Sequence, residues 1–302
     1  MSSSAICMLA VSAGTDPSIT PVPLSDATRS LFPPTISLME TFVCDDEHYT
    51  LVADQSGQQI TLLKNSDTAD GEFSLASRFE LPQAVTLFKP FSLFGQIFFA
   101  GYQPGEAYLN LYQLNDALSA VSKVRSQYVG SGYTMVQPLS YRYDNFIVLY
   151  NQASGDVAKY QMQIPAYHGV GMQQTWSDIW AKTWNRFAFF SFGGENFFIK
   201  TNLSHEKVNI DHFMDGLDQG SHPVLSEQAD NDMLNAQTVV TFQDAKGEAF
   251  FAVCSDAGKV IVNRIFPNCE GWDTLCSSDS GAGIRSAVPV VINHKTCLLL
   301  AD

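Results

Sequence analysis

Hydrophobic and polar residues alternate over Phe250 to Ile265 (FFAVCSDAGKVIVNRI): an apolar run, a turn at Ser255-Asp256-Ala257-Gly258, then alternation through Val260, Val262 and Arg264. A period of two on either side of a glycine turn predicts a β-hairpin. The pattern recurs at Leu51 to Leu63 (LVADQSGQQITLL), Phe98 to Leu114 (FFAGYQPGEAYLNLYQL) and Ile147 to Met162 (IVLYNQASGDVAKYQM). An eroded copy runs from Phe197 to Phe213, with His205 in the place of the turn glycine. The turn positions Gly57, Gly105, Gly155, His205 and Gly258 fall roughly 50 residues apart, the long end of the spacing for repeats that each fold as a four-stranded blade.

A sixth copy is split. Thr296 to Asp302 (TCLLLAD) supplies its first half, and Ser3 to Val11 (SSAICMLAV) reads as the strand that follows, with Ser3 under Gly57 and Ile6 under Ile60. The piece from Ile19 to Leu24 then forms the outer edge, where Pro21 and Pro23 cost few hydrogen bonds. Elsewhere SLMETFVCDD from Ser37, AVTLFKPFSLF, YTMVQPLSYR, NRFAFFSFGG, AQTVVTFQD and SAVPVVINH read as inner strands, and FSLASRFEL and LSAVSKVRS as outer ones. Gly169 to Lys182 fits either an outer strand or a helical turn, because Trp176, Trp180 and Trp184 share the i, i+4, i+8 spacing of one helix face. The expectation is an all-β six-bladed β-propeller, one domain over residues 1–302, whose last blade is closed by strands from both ends of the chain.

A formal charge of −14, from 31 acidic against 17 basic residues, repels phosphate backbones and excludes nucleic acid as a natural partner. No apolar run reaches the roughly 18 residues of a membrane-spanning helix. Ala5 to Ala13 has the length of a signal-peptide core, yet no basic residue precedes it and it fits the closing strand; a secreted and a cytoplasmic location both stay open. Of the six cysteines, Cys7 and Cys297 are expected on neighbouring strands, and Cys269 and Cys276 bracket a short loop. Each pair is open to a disulfide in an oxidising compartment, against free thiols otherwise. Cys44 and Cys254 lie in apolar strands and read as buried thiols.

In such a ring the loops leading into the inner strands share one rim with the hairpin turns. That rim gathers Gln83, Tyr133, Trp184, Asn235 and Arg285 with Asp54, Tyr102, Asn151, Asn202, His205, Asp256 and Asp302. Aromatics, an arginine and carboxylates together suit a small organic molecule held by stacking and a few directed hydrogen bonds. Asp54, Tyr102, Gln152, Ser255 and Asp302 occupy similar hairpin positions with unlike chemistry, which suits one specialised site.

There is no glycine-rich phosphate loop, HExxH or paired CxxC, and Asp279-Ser280-Gly281-Ala282-Gly283 lacks the leading glycine of a nucleophile elbow. Asp211, Asp215 and Asp218 miss the spacing of a calcium loop and read as solvated acid. No metal and no cofactor is expected. Asn202-Leu203-Ser204 is an acceptor sequon, meaningful in a secretory product.

The blocks WNRFAFFSFGGENFFIKTN and VTFQDAKGEAFFAVCSDAGKVIVNRI resemble in architecture the six-bladed propellers of fungal and bacterial fucose-type lectins, over nearly the whole chain, without the lectins' repeated arginine, glutamate and tryptophan set. In size and in its aromatic, non-repeating rim the chain is also similar to cofactor-free fungal pericyclases, the hetero-Diels-Alderases of tropolone sesquiterpenoid pathways. The first resemblance implies a glycan ligand, the second a hydrophobic natural-product intermediate. On the second, Arg285, Tyr133 and His205 are the expected hydrogen-bond donors and Asp302 a base or orienting carboxylate. Trp184 and Tyr102 then stack on a flat ring, and Asn151 and Gln83 complete the substrate contacts.

Overall fold

The computed structural model describes residues 6–13, 16–66, 73–141, 144–163, 169–214, 220–244, 246–280 and 283–302. Ser3, Asp215, Asp218, Gly281 and Ala282 lie outside them. The first strands are β1 (Ile6–Ser12) and β2 (Ser18–Val22), followed by one helical turn, α1 (Asp26–Arg29), whose Ser25 cap accepts from the Thr28 N–H at 3.1 Å. Blade one holds β3 (Ile36–Cys44), β4 (Glu47–Asp54), β5 (Gln59–Asn65) and β6 (Phe73–Glu80). Blade two holds β7 (Leu87–Leu93), β8 (Gln96–Tyr102), β9 (Tyr108–Leu114) and β10 (Val121–Tyr128). Blade three holds β11 (Met135–Tyr141), β12 (Asp144–Tyr150), β13 (Asp156–Gln163) and β14 (Gly171–Ile179).

Blade four holds β15 (Trp184–Phe192), β16 (Glu195–Asn202), β17 (Lys207–Phe213) and β18 (Ser221–Gln228), with a second helical turn, α2 (Asn231–Leu234), after it. Blade five holds β19 (Ala236–Gln243), β20 (Ala249–Ser255), β21 (Lys259–Ile265) and β22 (Trp272–Asp279). Blade six takes its inner strands, β23 (Ser286–Ile292) and β24 (Lys295–Ala301), from late in the chain and its outer strands from the start, in the order β2-β1-β24-β23. The result is the expected six-bladed propeller.

Alternation makes each strand serve two cores. In β8, Ile97 and Phe99 pack toward blade one, while Phe98, Ala100 and Tyr102 pack toward blade three. One apolar cluster fills each seam between neighbouring blades, and each large side chain so buried contributes on the order of 1.5–3 kcal/mol. The outer strands of blades one to five each carry one extra residue against their neighbour: Ala76, Val124, Thr175, Val224 and Leu275. Such a bulge breaks the period of two, so all five of these outer strands leave a weaker pattern in the sequence than the strands inside them.

Several local expectations change. Gly169 to Lys182 contains a strand, so the three tryptophans never share a helix face; Trp176 lies in β14, Trp180 follows it and Trp184 opens β15. They still converge, because all three pack into the seam between blades three and four. The left-handed residue of the β16–β17 turn is Glu206, at φ 51°, rather than His205.

The cysteines are free. Cys7 stands opposite Leu300 and Cys297 opposite Ala10, three residues out of register, so the two thiols face different seams. Cys269 and Cys276 are likewise divided between seams. Cys254 is buried as expected, whereas Cys44 is only half-buried. Asn202 is 1% exposed and its Nδ2 donates to the Lys182 carbonyl at 2.9 Å, so this sequon is closed to a glycan. Among the described residues no helix is long and apolar enough to cross a membrane.

Candidate functional site

Inner strands of neighbouring blades adjoin around the channel, but β11 and β15 stand further apart than the rest, and β11 packs instead against β16. Large rings hold this seam open: Trp184, Phe198 and Phe213 form its buried part, flanked by Trp176, Trp180, Phe187 and Phe189. Phe189 stacks on Phe198 at 5.0 Å and Trp180 on Phe198 at 5.6 Å. At the upper mouth of the channel, where the inner strands begin, the widened seam leaves a cavity of about 220 Å³. Its walls include Trp184, Arg186, Phe187, Phe189, Gln137 and Gln152, with Leu87 and Lys89 reaching in from blade two.

The local backbone explains how these side chains arrive there. The register of β15 against β16 slips between Asn185 and Ala188, placing Arg186 and Phe187 together opposite a single residue. Arg186 sits at φ 50°, a left-handed conformation that an arginine adopts only against a steric cost. Its Nε donates to the Ala236 carbonyl on blade five at 2.9 Å. The first residue of the strand is fixed as well, since the Trp184 N–H donates to the Tyr150 hydroxyl at 3.3 Å and that hydroxyl donates to Ala181 O at 2.8 Å.

Behind the cavity wall lies a buried ion pair. Lys200 and Asp211 are 2.7 Å apart, with side chains 5% and 3% exposed. The Lys200 ammonium lies 4.5 Å from the ring centres of both Trp180 and Trp184, an arrangement stabilised by the negative faces of the indoles. Burial pushes the Lys200 amine below the usual lysine range, an effect that the adjacent Asp211 carboxylate opposes. Asp211 Oδ1 and Asn209 Oδ1 are buried without hydrogen-bond partners among the described residues. Asp211 is therefore a core carboxylate, contrary to its reading as solvated acid. Lys89 is paired with Glu40 of blade one, and burial nevertheless raises the Glu40 carboxyl above its ordinary range.

The rim residues singled out in the sequence are dispersed. Trp184 lines the cavity. Tyr102 and Tyr133 touch edge to face at 5.9 Å, but the Tyr102 hydroxyl lies 3.0 Å from Glu106 O and 2.9 Å from Gly130 O and accepts from the Tyr133 N–H, so it ties loops together. Asn151 accepts from the backbone of Ala153 and Ser154 and donates to Ser131 O, holding its own turn. Gln83 pairs with Glu106.

His205 is exposed in the blade-four turn. Arg285 and Asp302 are exposed and flank the first backbone pairs of β23 and β24, on the blade opposite blade three in the ring. Arg186, Phe187, Phe189, Lys89 and Lys200 escaped the reading because they lie inside strands rather than on loops. The available signal was a lysine within the apolar run ENFFIKTN, at a position facing a seam.

A second cavity, about 260 Å³, opens on the opposite face between blades one, five and six. Phe42, Tyr49 and Phe242 are among its walls, which hold no acidic residue or lysine among the described residues.

Neither a protein-family model nor a curated protein matches the sequence. Solved structures do. A 6-phosphogluconolactonase-like protein from Bacteroides fragilis superposes with a TM-score of 0.56 at 11% identity, over 96% of this chain and 85% of that one. An exo-β-1,3-galactanase from Clostridium thermocellum gives 0.55 at 11% identity, over 82% and 63%. A functionally unknown protein from Desulfotomaculum acetoxidans gives 0.54 at 10% identity, over 92% and 81%. At these identities the likeness is one of fold, and it agrees with the six-bladed β-propeller described above.

Proposed function

We propose that the protein holds one compact, flat organic molecule in the upper mouth of its channel, at the seam between blades three and four. The observation that carries this reading is the bulged start of β15, which sets Arg186 and Phe187 beside the clamped Trp184 in the wall of one cavity. Rings supply stacking surface, and Gln137, Gln152 and Thr134 supply directed hydrogen bonds.

In its catalytic form this is a cofactor-independent cyclase of hetero-Diels-Alder type, acting on a hydrophobic natural-product intermediate. Such a reaction needs its partners held close and aligned, which lowers a barrier by about 7 kcal/mol or more in favourable cases. The donors for any accompanying loss of water are then Arg186 and the cavity amides, in place of Arg285, Tyr133 and His205.

A thermal-shift panel of tropolonic and polycyclic ligands, run beside a glycan array, tests the proposal. A ligand at a hundred times its Kd adds about 2.7 kcal/mol to stability. Stabilisation by flat ligands that is lost in Trp184→Leu supports the reading and justifies a turnover assay. Glycan binding with no shift from flat ligands replaces it with a sugar-binding ring.

A further inference from the structure

The cavity wall carries two cations, and their surroundings differ. Lys89 is matched by Glu40. Arg186 has no such counterpart: among the described residues no carboxylate lies within ion-pair distance of it, its hydrogen bonding is confined to Nε, and neither Nη group has an acceptor. This occurs in a chain with 31 acidic residues against 17 basic ones, where carboxylates are abundant. Burial holds the guanidinium below its usual range, with no acidic neighbour to offset the cost. A half-buried cation is stabilised by an anion brought to it, and a guanidinium grips a carboxylate through two parallel hydrogen bonds.

The remaining walls fix the rest of the ligand. Trp184, Phe187 and Phe189 present ring surface, and the volume of about 220 Å³ admits a body of one or two fused rings. The Nε bond to Ala236 O and the bulge hold the guanidinium at one place on that wall, which defines where the negative group must lie.

We infer that the natural ligand of this cavity is a compact aromatic or polyunsaturated carboxylic acid, bound as the anion with its carboxylate on Arg186 and its flat body against Trp184 and the neighbouring phenylalanines. This rests on the proposed small-molecule site and specifies its ligand class. Arg186 is then the residue that selects acids over their neutral analogues.

Naphthoate and naphthamide, which share one ring system and differ in charge, separate the two claims by calorimetry on the whole protein. The expected result is naphthoate binding at least tenfold tighter than naphthamide, with the preference abolished in Arg186→Gln and partly kept in Arg186→Lys. Circular dichroism and the melting point of each variant confirm that the ring is intact. Equal binding of the two probes, or a preference that survives Arg186→Gln, overturns the assignment of an anion while leaving the cavity as a ligand site. Failure of both probes to bind overturns the assignment together with the site on which it rests. Naphthoate binding unaffected by Trp184→Leu but lost in Arg186→Gln places the anion elsewhere along Arg186 and also overturns the inference as stated.

Discussion

The Lys200–Asp211 pair gives an ordered set of stability changes. Lys200→Met keeps the aliphatic stem of the side chain against Trp180 and Trp184 and removes only the ammonium. Asp211 is then left 3% exposed, with the Ser221 hydroxyl at 3.3 Å as its remaining donor and Oδ1 unpartnered as before. Removing one member of a buried pair costs about 3–5 kcal/mol, because the other charge stays behind without compensation. Asp211→Asn leaves the ammonium, but in contact with two indole faces at 4.5 Å, each worth roughly 0.5–2 kcal/mol. The asparagine also keeps an acceptor oxygen, so the expected loss is smaller, about 2 kcal/mol.

Replacing both groups, Lys200→Met with Asp211→Leu, removes the desolvation cost and the attraction together and should return stability to within about 1 kcal/mol of the parent. Urea titration read by tryptophan fluorescence measures this directly, since Trp180 and Trp184 line the altered site; a shifted midpoint at constant slope reports stability alone. The reasoning is refuted if Lys200→Met stays within about 0.5 kcal/mol of the parent, the range of an ordinary surface change. It is equally refuted if Asp211→Asn proves the more damaging substitution.

Further outcomes follow from single contacts. A Cβ on Gly155 would meet Trp180 O at 2.3 Å and one on Gly57 would meet Val85 O at 2.2 Å, whereas one on Gly95 meets nothing within 4 Å. All three have positive φ, so Gly95→Ala should cost only the left-handed penalty of about 1–2 kcal/mol, and Gly155→Ala and Gly57→Ala clearly more, as read by melting temperature. Tyr150→Phe strips the Trp184 N–H and Ala181 O of their shared hydroxyl; it should lose about 1–3 kcal/mol and weaken naphthoate binding, whereas Tyr102→Phe should lose stability alone.

Burial raises the phenols of Tyr49, Tyr102, Tyr112, Tyr133, Tyr150 and Tyr160, the last to about 12. Unfolded tyrosines ionise near pH 10, so the Tyr160 contribution is intact below about pH 10 and falls as pH rises toward 12, by roughly 1.4 kcal/mol per pH unit, and the other five phenols act in the same direction. Tyrosinate absorbance should therefore grow in step with loss of far-ultraviolet circular dichroism. Full ionisation in a still-folded ring would contradict the burial of these rings.

The fold was legible because blade strands obey a strict rule. FFAVCSDAGKVIVNRI alternates since each side chain must enter one seam or the next, and the glycine turn is needed where Gly258, at φ 89°, reverses the chain. Even the split blade could be recovered, as TCLLLAD and ICMLAV carry the same alternation on either side of the break. The outer strands of blades one to five, each interrupted by a bulge residue such as Ala76 or Val224, were less legible than the strands inside them.

The site was mostly hidden. Trp184 was found because it begins a strand and so sits on a loop boundary. Arg186 and Phe187 owe their place to a register slip that leaves no mark in composition, and Lys200 was marked only by its position within an apolar run. Tyr102 and Tyr133 were visible as rim aromatics, but whether a rim tyrosine meets a ligand or a neighbouring carbonyl depends on loop geometry, and here the carbonyls take it.

The shared construction of blade six bears on how the ring comes together in time. β1 and β2 are synthesised before the other strands of the ring and remain without their inner partners until β23 and β24 have been made. β24 then supplies Leu298 and Leu300 to one seam and Cys297, Leu299 and Ala301 to the other, while its backbone pairs with β1. Contacts between residues so far apart in the chain form late and slowly. Seven residues thus join one sheet and two cores, so a ring that lets go of β24 forfeits all three at once.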